Sequence, residues 1–175
     1  MALMERIKIG ISSCLLGKNV RYDGCHQRDP YITDILGRYF EWAPVCPEVE
    51  CGLGIPREAM HLVGNPLNTR LVTIRTYIDH TDGIMKWIEA KLRELEKEDL
   101  SGFIFKSKSP SSAIRDVEIY SLSGIPVYKG AGIFGGSFIK RFPLIPVIDD
   151  DHLHDPILRK VFIKKVFAYK KTSGF

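Results

Sequence analysis

Three short apolar runs in this chain each end abruptly in a small, polar, chemically loaded segment, and that repeated pattern constrains the fold most. Residues 7–11 run into Ser12-Ser13-Cys14, residues 42–45 into Cys46-Pro47-Glu48, and residues 102–105 into the serine-rich stretch 106–112. Runs of four or five mostly apolar residues bounded by polar turns read as buried strands. Helical periods lie between them. Ile84, Ile88, Leu92 and Leu95 share one face behind a cap at Thr81 or Asp82, so the spacing predicts a helix over 83–98. Ile32, Ile35, Leu36 and Tyr39 predict another across 31–40.

The glycines and prolines at 52, 54, 56, 64 and 66 mark residues 52–70 as an extended loop, with a short strand at 71–75. Residues 117–121 and 125–128 read as a strand pair around Ser123-Gly124, and 130–136 as a loop before a further helix. Strands alternating with helices predict a Rossmann-like α/β fold, with a mostly parallel sheet covered by helices on both faces. In such a sheet ligands bind beyond the carboxyl ends of the strands. The three polar segments are therefore expected to meet at one sheet edge.

With 175 residues, 45% of them apolar and 26% charged, the chain is of ordinary globular composition and large enough to bury a core without disulfides. Its amino terminus has no apolar stretch of secretory length, and no segment approaches the ~20 apolar residues of a membrane span. A cytoplasmic protein with no membrane partner is expected. The net charge of +4 is concentrated at the carboxyl end, where residues 156–175 carry a local +6 and leave the rest at −2. There Leu158, Phe162, Val166 and Tyr169 form an apolar stripe on a basic helix, a face for packing first and for nucleic-acid phosphates second.

Four cysteines, at 14, 25, 46 and 51, lie in the first third without a CxxC pair. In a reducing compartment they read as ligands, nucleophiles or buried small residues rather than disulfides. Cys14 and Cys46, at strand ends among polar residues, suit metal or iron-sulfur ligation, while the four together are enough in number for a closed zinc site. None of the five histidines has ligand spacing. Glu48, beside Cys46, is a candidate general acid or base. The 106–112 stretch, with two lysines and four serines, offers a cradle for an anion or carbonyl oxygen, and Gly130-Ala-Gly132 lets backbone approach a ligand closely.

Taken together, Ser12-Ser-Cys14-Leu-Leu-Gly17, Val20-Arg-Tyr-Asp-Gly24, Pro44-Val-Cys46-Pro-Glu48-Val-Glu-Cys-Gly52-Leu-Gly-Ile-Pro56-Arg57-Glu58, Phe105-Lys-Ser-Lys-Ser-Pro110-Ser and Gly130-Ala-Gly132-Ile-Phe134 resemble the thiouracil desulfurase (TudS) family. Arg70-Leu-Val-Thr-Ile-Arg75 and Phe142-Pro-Leu-Ile-Pro-Val147 are most similar to its YbgA-type branch. The resemblance implies a 4Fe-4S cluster held by three cysteines, with one iron open toward the sulfur of a thiolated pyrimidine. Cys14 and Cys46 match the first two ligand positions. Ser112 stands where the third cysteine belongs, and a serine oxygen is a poorer donor to iron-sulfur than a thiolate, so Cys51 is the other candidate third ligand.

The implied catalytic residues are Glu48, Ser107, Ser109 and Asp23, with Lys106, Ser13 and Gly132 binding substrate. The implied reaction is desulfuration of thiouracil or thiouridine with release of sulfide. The contrasting expectation, raised by Ser112, is a degenerate member that binds a nucleobase, nucleotide or RNA without a cluster. Residues 1–150 are expected to form the α/β domain and 151–175 the basic tail, which resembles the start of a second helical domain. The expected partners are a small thiolated pyrimidine or thiolated tRNA, and a second copy of the chain through the tail.

Overall fold

The computed structural model describes residues 6–173; the first five residues of the predicted domain and the last two of the predicted tail lie outside them. Four strands, β1 (Ile7–Ser12), β2 (Phe40–Val45), β5 (Phe103–Phe105) and β8 (Val147–Asp149), form a wholly parallel sheet in the order β2-β1-β5-β8. A second sheet, in the order β4-β3-β6-β7, combines β3 (Met60–Asn65), β4 (Asn68–Thr73), β6 (Val117–Tyr120) and β7 (Pro126–Gly130). It is mixed, with two antiparallel hairpins joined by the parallel β3–β6 pair.

Side chains alternate across a strand, so each strand of the parallel sheet feeds two cores. Phe103 and Phe105 point one way, stacked with centroids 4.1 Å apart, into a core shared with α2 (Thr81–Leu95), α3 (Ile133–Arg141) and the second sheet. Ile104 points the other way, joining Ile9, Ile11 and Ile148 against Ile32, Leu36 and α5 (Pro156–Ser173). Gly10 leaves room for the Phe103 ring, which any Cβ at that position would overlap. Phe162 and Val166 of α5 are buried in this second core, so the middle of the apolar stripe of the basic helix packs on its own domain, while Leu158 is 40% exposed.

Several elements differ from the sequence-based expectation. The 31–40 helix is a single π turn (Tyr31–Ile35) followed by a 3-10 turn (Leu36–Arg38), with Asp29 accepting from the N–H groups of Tyr31 and Ile32. Strand β3 lies inside the expected 52–70 loop, held between β4 and β6, and Gly64 takes a positive φ within the ladder one residue before the hairpin turn closed by Asn65 and Asn68. Helix α3 begins at Ile133, inside the 130–136 glycine run. Strand β8 was not expected. It ends at Asp149, where burial works against the charge but the N–H and imidazole of His152 and the Arg115 guanidinium hold the carboxyl below its usual range. Helix α4 (Asp150–Leu153) starts there and brings Asp150 to the carboxyl edge of the sheet.

Candidate active site

The three polar segments do meet, beyond the carboxyl ends of β1, β2 and β5, around a cavity of about 550 Å³. One wall is the 3-10 turn Ser13–Leu16, which directs Ser13 and Cys14 inward. The second is the junction of β2 with α1 (Pro47–Glu50), a four-residue helix with proline at its first position. Such a helix is too short to hold itself. It is tied down at Glu50, whose carboxylate accepts from the Cys46 N–H at 2.9 Å and pairs with Lys91 of α2 at 2.8 Å. The third wall is the 106–112 loop, and Arg57 closes the side between them.

Cys14 and Cys46 line the cavity, each more than nine-tenths buried. Burial pushes the Cys14 thiol up to about 11, against the pull of Lys106 and Arg21, and pushes Cys46 up to about 12 with help from the neighbouring Glu48 carboxylate. Both thiols therefore stay protonated at neutral pH until something cationic displaces the proton. Glu48 is itself buried, with Oε2 at 3.7 Å from Cys46 Sγ and 3.9 Å from Arg57 Nη2, while Oε1 accepts from Ser111 Oγ at 2.6 Å. The Arg57 guanidinium donates to the carbonyls of Val20 and Gly54, and its Nε is buried without a partner.

The serine loop is fixed from both ends. Lys106 donates its backbone N–H to Ser12 Oγ at 2.9 Å and its ammonium to Asp150 at 2.6 Å, and the Ser107 N–H bonds the other oxygen of Asp150. At the far end the first-turn N–H groups of α3, which lack partners in their own helix, donate to the loop carbonyls. Phe134 and Gly135 both reach the Ser111 carbonyl, and the Gly132 N–H reaches Ala113 at 2.7 Å.

Of the residues singled out in the sequence, Ser13, Cys14, Cys46, Glu48, Lys106, Ser107, Ser109 and Ser112 line the cavity together. Gly132 does not. A Cβ there would come within 2.6 Å of the Ser111 backbone, so this glycine lets α3 clamp the serine loop instead of approaching a ligand. Asp23 is also outside, exposed and turned back on the Cys25 N–H and Arg21, with its carboxyl held low by that N–H. Cys51 is on the other side of α1, where its thiol donates to the Glu48 carbonyl at 3.3 Å and packs against the aromatic core. Cys25 is exposed, so the four cysteines do not gather as a closed zinc site.

Arg57 and Ser111 stand within the sequence motifs without a role read for them, and Asp150 stands outside those motifs. Asp150 was within reach as an acid following a strand, but β8 is only three residues long and went unrecognised. The local sequence marks Ser111 only as one of the serines of the 106–112 stretch, since its partner is 63 residues away. Among the described residues no three His, Cys, Asp or Glu side chains converge as a metal-ligand set. The donors lining the cavity include the thiols of Cys14 and Cys46, the hydroxyls of Ser13, Ser107, Ser109 and Ser112, and the carboxyl groups of Glu48, Glu58, Asp150 and Asp151.

No curated protein matches the chain. A solved structure described as a 4Fe-4S-dependent thiouracil desulfidase, TudS (DUF523), superposes with a TM-score of 0.69 at 28% identity, covering 89% of this chain and 99% of the other. The family model for 2-thiouracil desulfurase matches residues 9–150, which contain all three walls of the cavity. With most of its length matched, the chain belongs to the 2-thiouracil desulfurase family.

Proposed function

We propose that this chain removes sulfur from a thiolated pyrimidine, replacing the thiocarbonyl sulfur by the oxygen of water and releasing sulfide. The single observation that supports this most is that Cys14, Cys46, Glu48 and the serine loop face one cavity at the carboxyl edge of a parallel sheet. Cys14 and Cys46 are the residues that would hold an iron-sulfur cluster, with Ser112 at the third corner in place of a thiolate. When bound there, a cluster would supply Lewis-acid chemistry toward the thiocarbonyl sulfur.

The chain's own residues do the rest. Glu48, beside the thiol wall, takes a proton from water as a C–O bond forms at the thiocarbonyl carbon and the C–S bond breaks. Lys106, held by Asp150, and the hydroxyls of Ser107, Ser109 and Ser13 orient the ring through its polar edge. No redox change of the substrate is needed, since the sum is thiocarbonyl and water giving carbonyl and hydrogen sulfide. The cavity is large enough for a base with more attached, which keeps thiouridine in a nucleoside or tRNA within the proposed substrate class.

The test is anaerobic reconstitution with iron and sulfide, then incubation with 2-thiouracil, 4-thiouracil and 4-thiouridine, following sulfide and the loss of thiocarbonyl absorbance. Sulfide and the oxygenated pyrimidine are expected in equal amounts, with Glu48→Gln slowing turnover about 100-fold or more. Iron-loaded protein that releases no sulfide from any of the three contradicts the proposal. Ser112 favours one second reading, a family member that binds the pyrimidine without a cluster. Saturable binding of uracil or thiouracil by protein that retains no iron is its signature.

A further inference from the structure

We propose that Ser111 is a positioning residue that holds Glu48 in its working orientation; this rests on the reading of Glu48 given above. Ser111 is fully buried and is not part of the cavity lining. Its hydroxyl carries one proton, and the 2.6 Å contact to Glu48 Oε1 uses it. Having donated that proton, Ser111 Oγ accepts from Ser109 Oγ at 3.1 Å, and Ser109 Oγ in turn accepts from the Ser112 N–H at 3.1 Å. The three bonds thus form one ordered chain from loop backbone to carboxylate.

The loop end of that chain is anchored independently of Glu48. The Ser111 carbonyl takes N–H groups from Phe134 and Gly135 at 2.8 and 3.1 Å, and Gly132 allows the close approach that makes these bonds. Glu48, by contrast, stands on a four-residue helix. Among the described residues its Oε2 has only the weaker neighbours, Cys46 Sγ at 3.7 Å and Arg57 Nη2 at 3.9 Å. Ser111 is therefore the one short hydrogen bond from the opposite wall that stops the carboxyl group from rotating, and it leaves Oε2 facing the thiol and the guanidinium. A side chain held by its neighbours in this way is what a reacting group needs, since small misplacements cost large factors in rate.

A hydroxyl that served only to satisfy buried polarity would affect stability and leave the rate of the folded enzyme alone. Reconstituted wild type, Ser111→Ala, Ser111→Cys, Glu48→Gln and the Ser111→Ala/Glu48→Gln double variant, assayed with 2-thiouracil, separate the two roles. Ser111→Ala is expected to lower kcat roughly 10- to 100-fold with KM changed less than about twofold. The poorer thiol donor of Ser111→Cys is expected to fall between, and supplies a second variant of similar size should the alanine form prove unstable. Iron content and thermal midpoint, measured on each variant, confirm that loaded, folded protein is being compared.

The decisive result is the double variant. If Ser111 acts through Glu48, the double variant is no slower than Glu48→Gln alone, within about twofold. Multiplicative losses, or wild-type kcat in Ser111→Ala, overturn the positioning role and leave the reading of Glu48 standing. Wild-type turnover in Glu48→Gln overturns that reading, and the positioning role falls with it.

Discussion

The two sheets have four strands each, yet the residues proposed to carry the chemistry follow the strands of only one. The parallel sheet is covered on both faces, and its strands end in short segments that are tied by hydrogen bonds to other walls of the cavity. The mixed sheet buries one face, through Leu62, Leu71, Val117 and Ile119, and leaves its hairpin tips and edge strand in solvent. Leu67 and Leu122, at its two turns, are 99% and 94% exposed. The proposed site lies at the sheet buried on both faces, because buried strands hold the loops at their ends to a fixed geometry while exposed hairpins do not.

The largest expected difference between the sheets is in stability. Phe103→Ala removes a wholly buried ring that stacks on Phe105 and meets Phe138 edge-on, and should cost about 3–5 kcal/mol in denaturant unfolding. A loss below about 1 kcal/mol would mean that the parallel sheet is not the stability centre. Gly132→Ala is expected to act on the site more than on the fold. Its methyl group would push into the Ser111 backbone, shifting the serine loop and lowering kcat by up to about 100-fold, measured as sulfide release at matched iron loading.

A third expectation concerns the thiols in metal-free protein. Cys14 and Cys46 have thiols raised to about 11 and about 12, so their alkylation by iodoacetamide should be slow at pH 8 and rise about tenfold per pH unit toward those values. Exposed Cys25 should react first, as peptide mapping of the modified protein can show. Rapid labelling of Cys46 at pH 8 would mean that the cavity is open and wet. The smallest effect belongs to the mixed sheet, where Leu122→Ser should change stability by no more than about 0.5 kcal/mol and leave turnover alone.

Legibility in the sequence cuts across this division, since the β6–β7 pair of the mixed sheet is readable and β8 of the parallel sheet is not. Strands β1 and β5 and helix α2 were readable to within a few residues, because their apolar pattern is a property of the local chain. Strand β3 was not, since Gly64 and Pro66 give it the punctuation of a loop and its order comes from the neighbours that pair with it on both sides. In the site, the cysteines, Glu48 and the serine stretch announce themselves by residue type at strand ends. The partners that orient them, Ser111 for Glu48, Asp150 for Lys106 and α3 for the loop, are made by contacts between distant segments. Gly132 was visible as a special glycine, but only the packing shows that what approaches it closely is the protein's own backbone.

The most direct test of the account is the iron and sulfide content of anaerobically reconstituted wild type beside Cys14→Ser, Cys46→Ser and Cys51→Ser. A cluster of the kind named for the related structure, four irons per chain, is expected in wild type and in Cys51→Ser and is expected to be lost in the other two. Retention of four irons by Cys46→Ser, loss in Cys51→Ser, or no iron in wild type would contradict a cluster seated between Cys14 and Cys46.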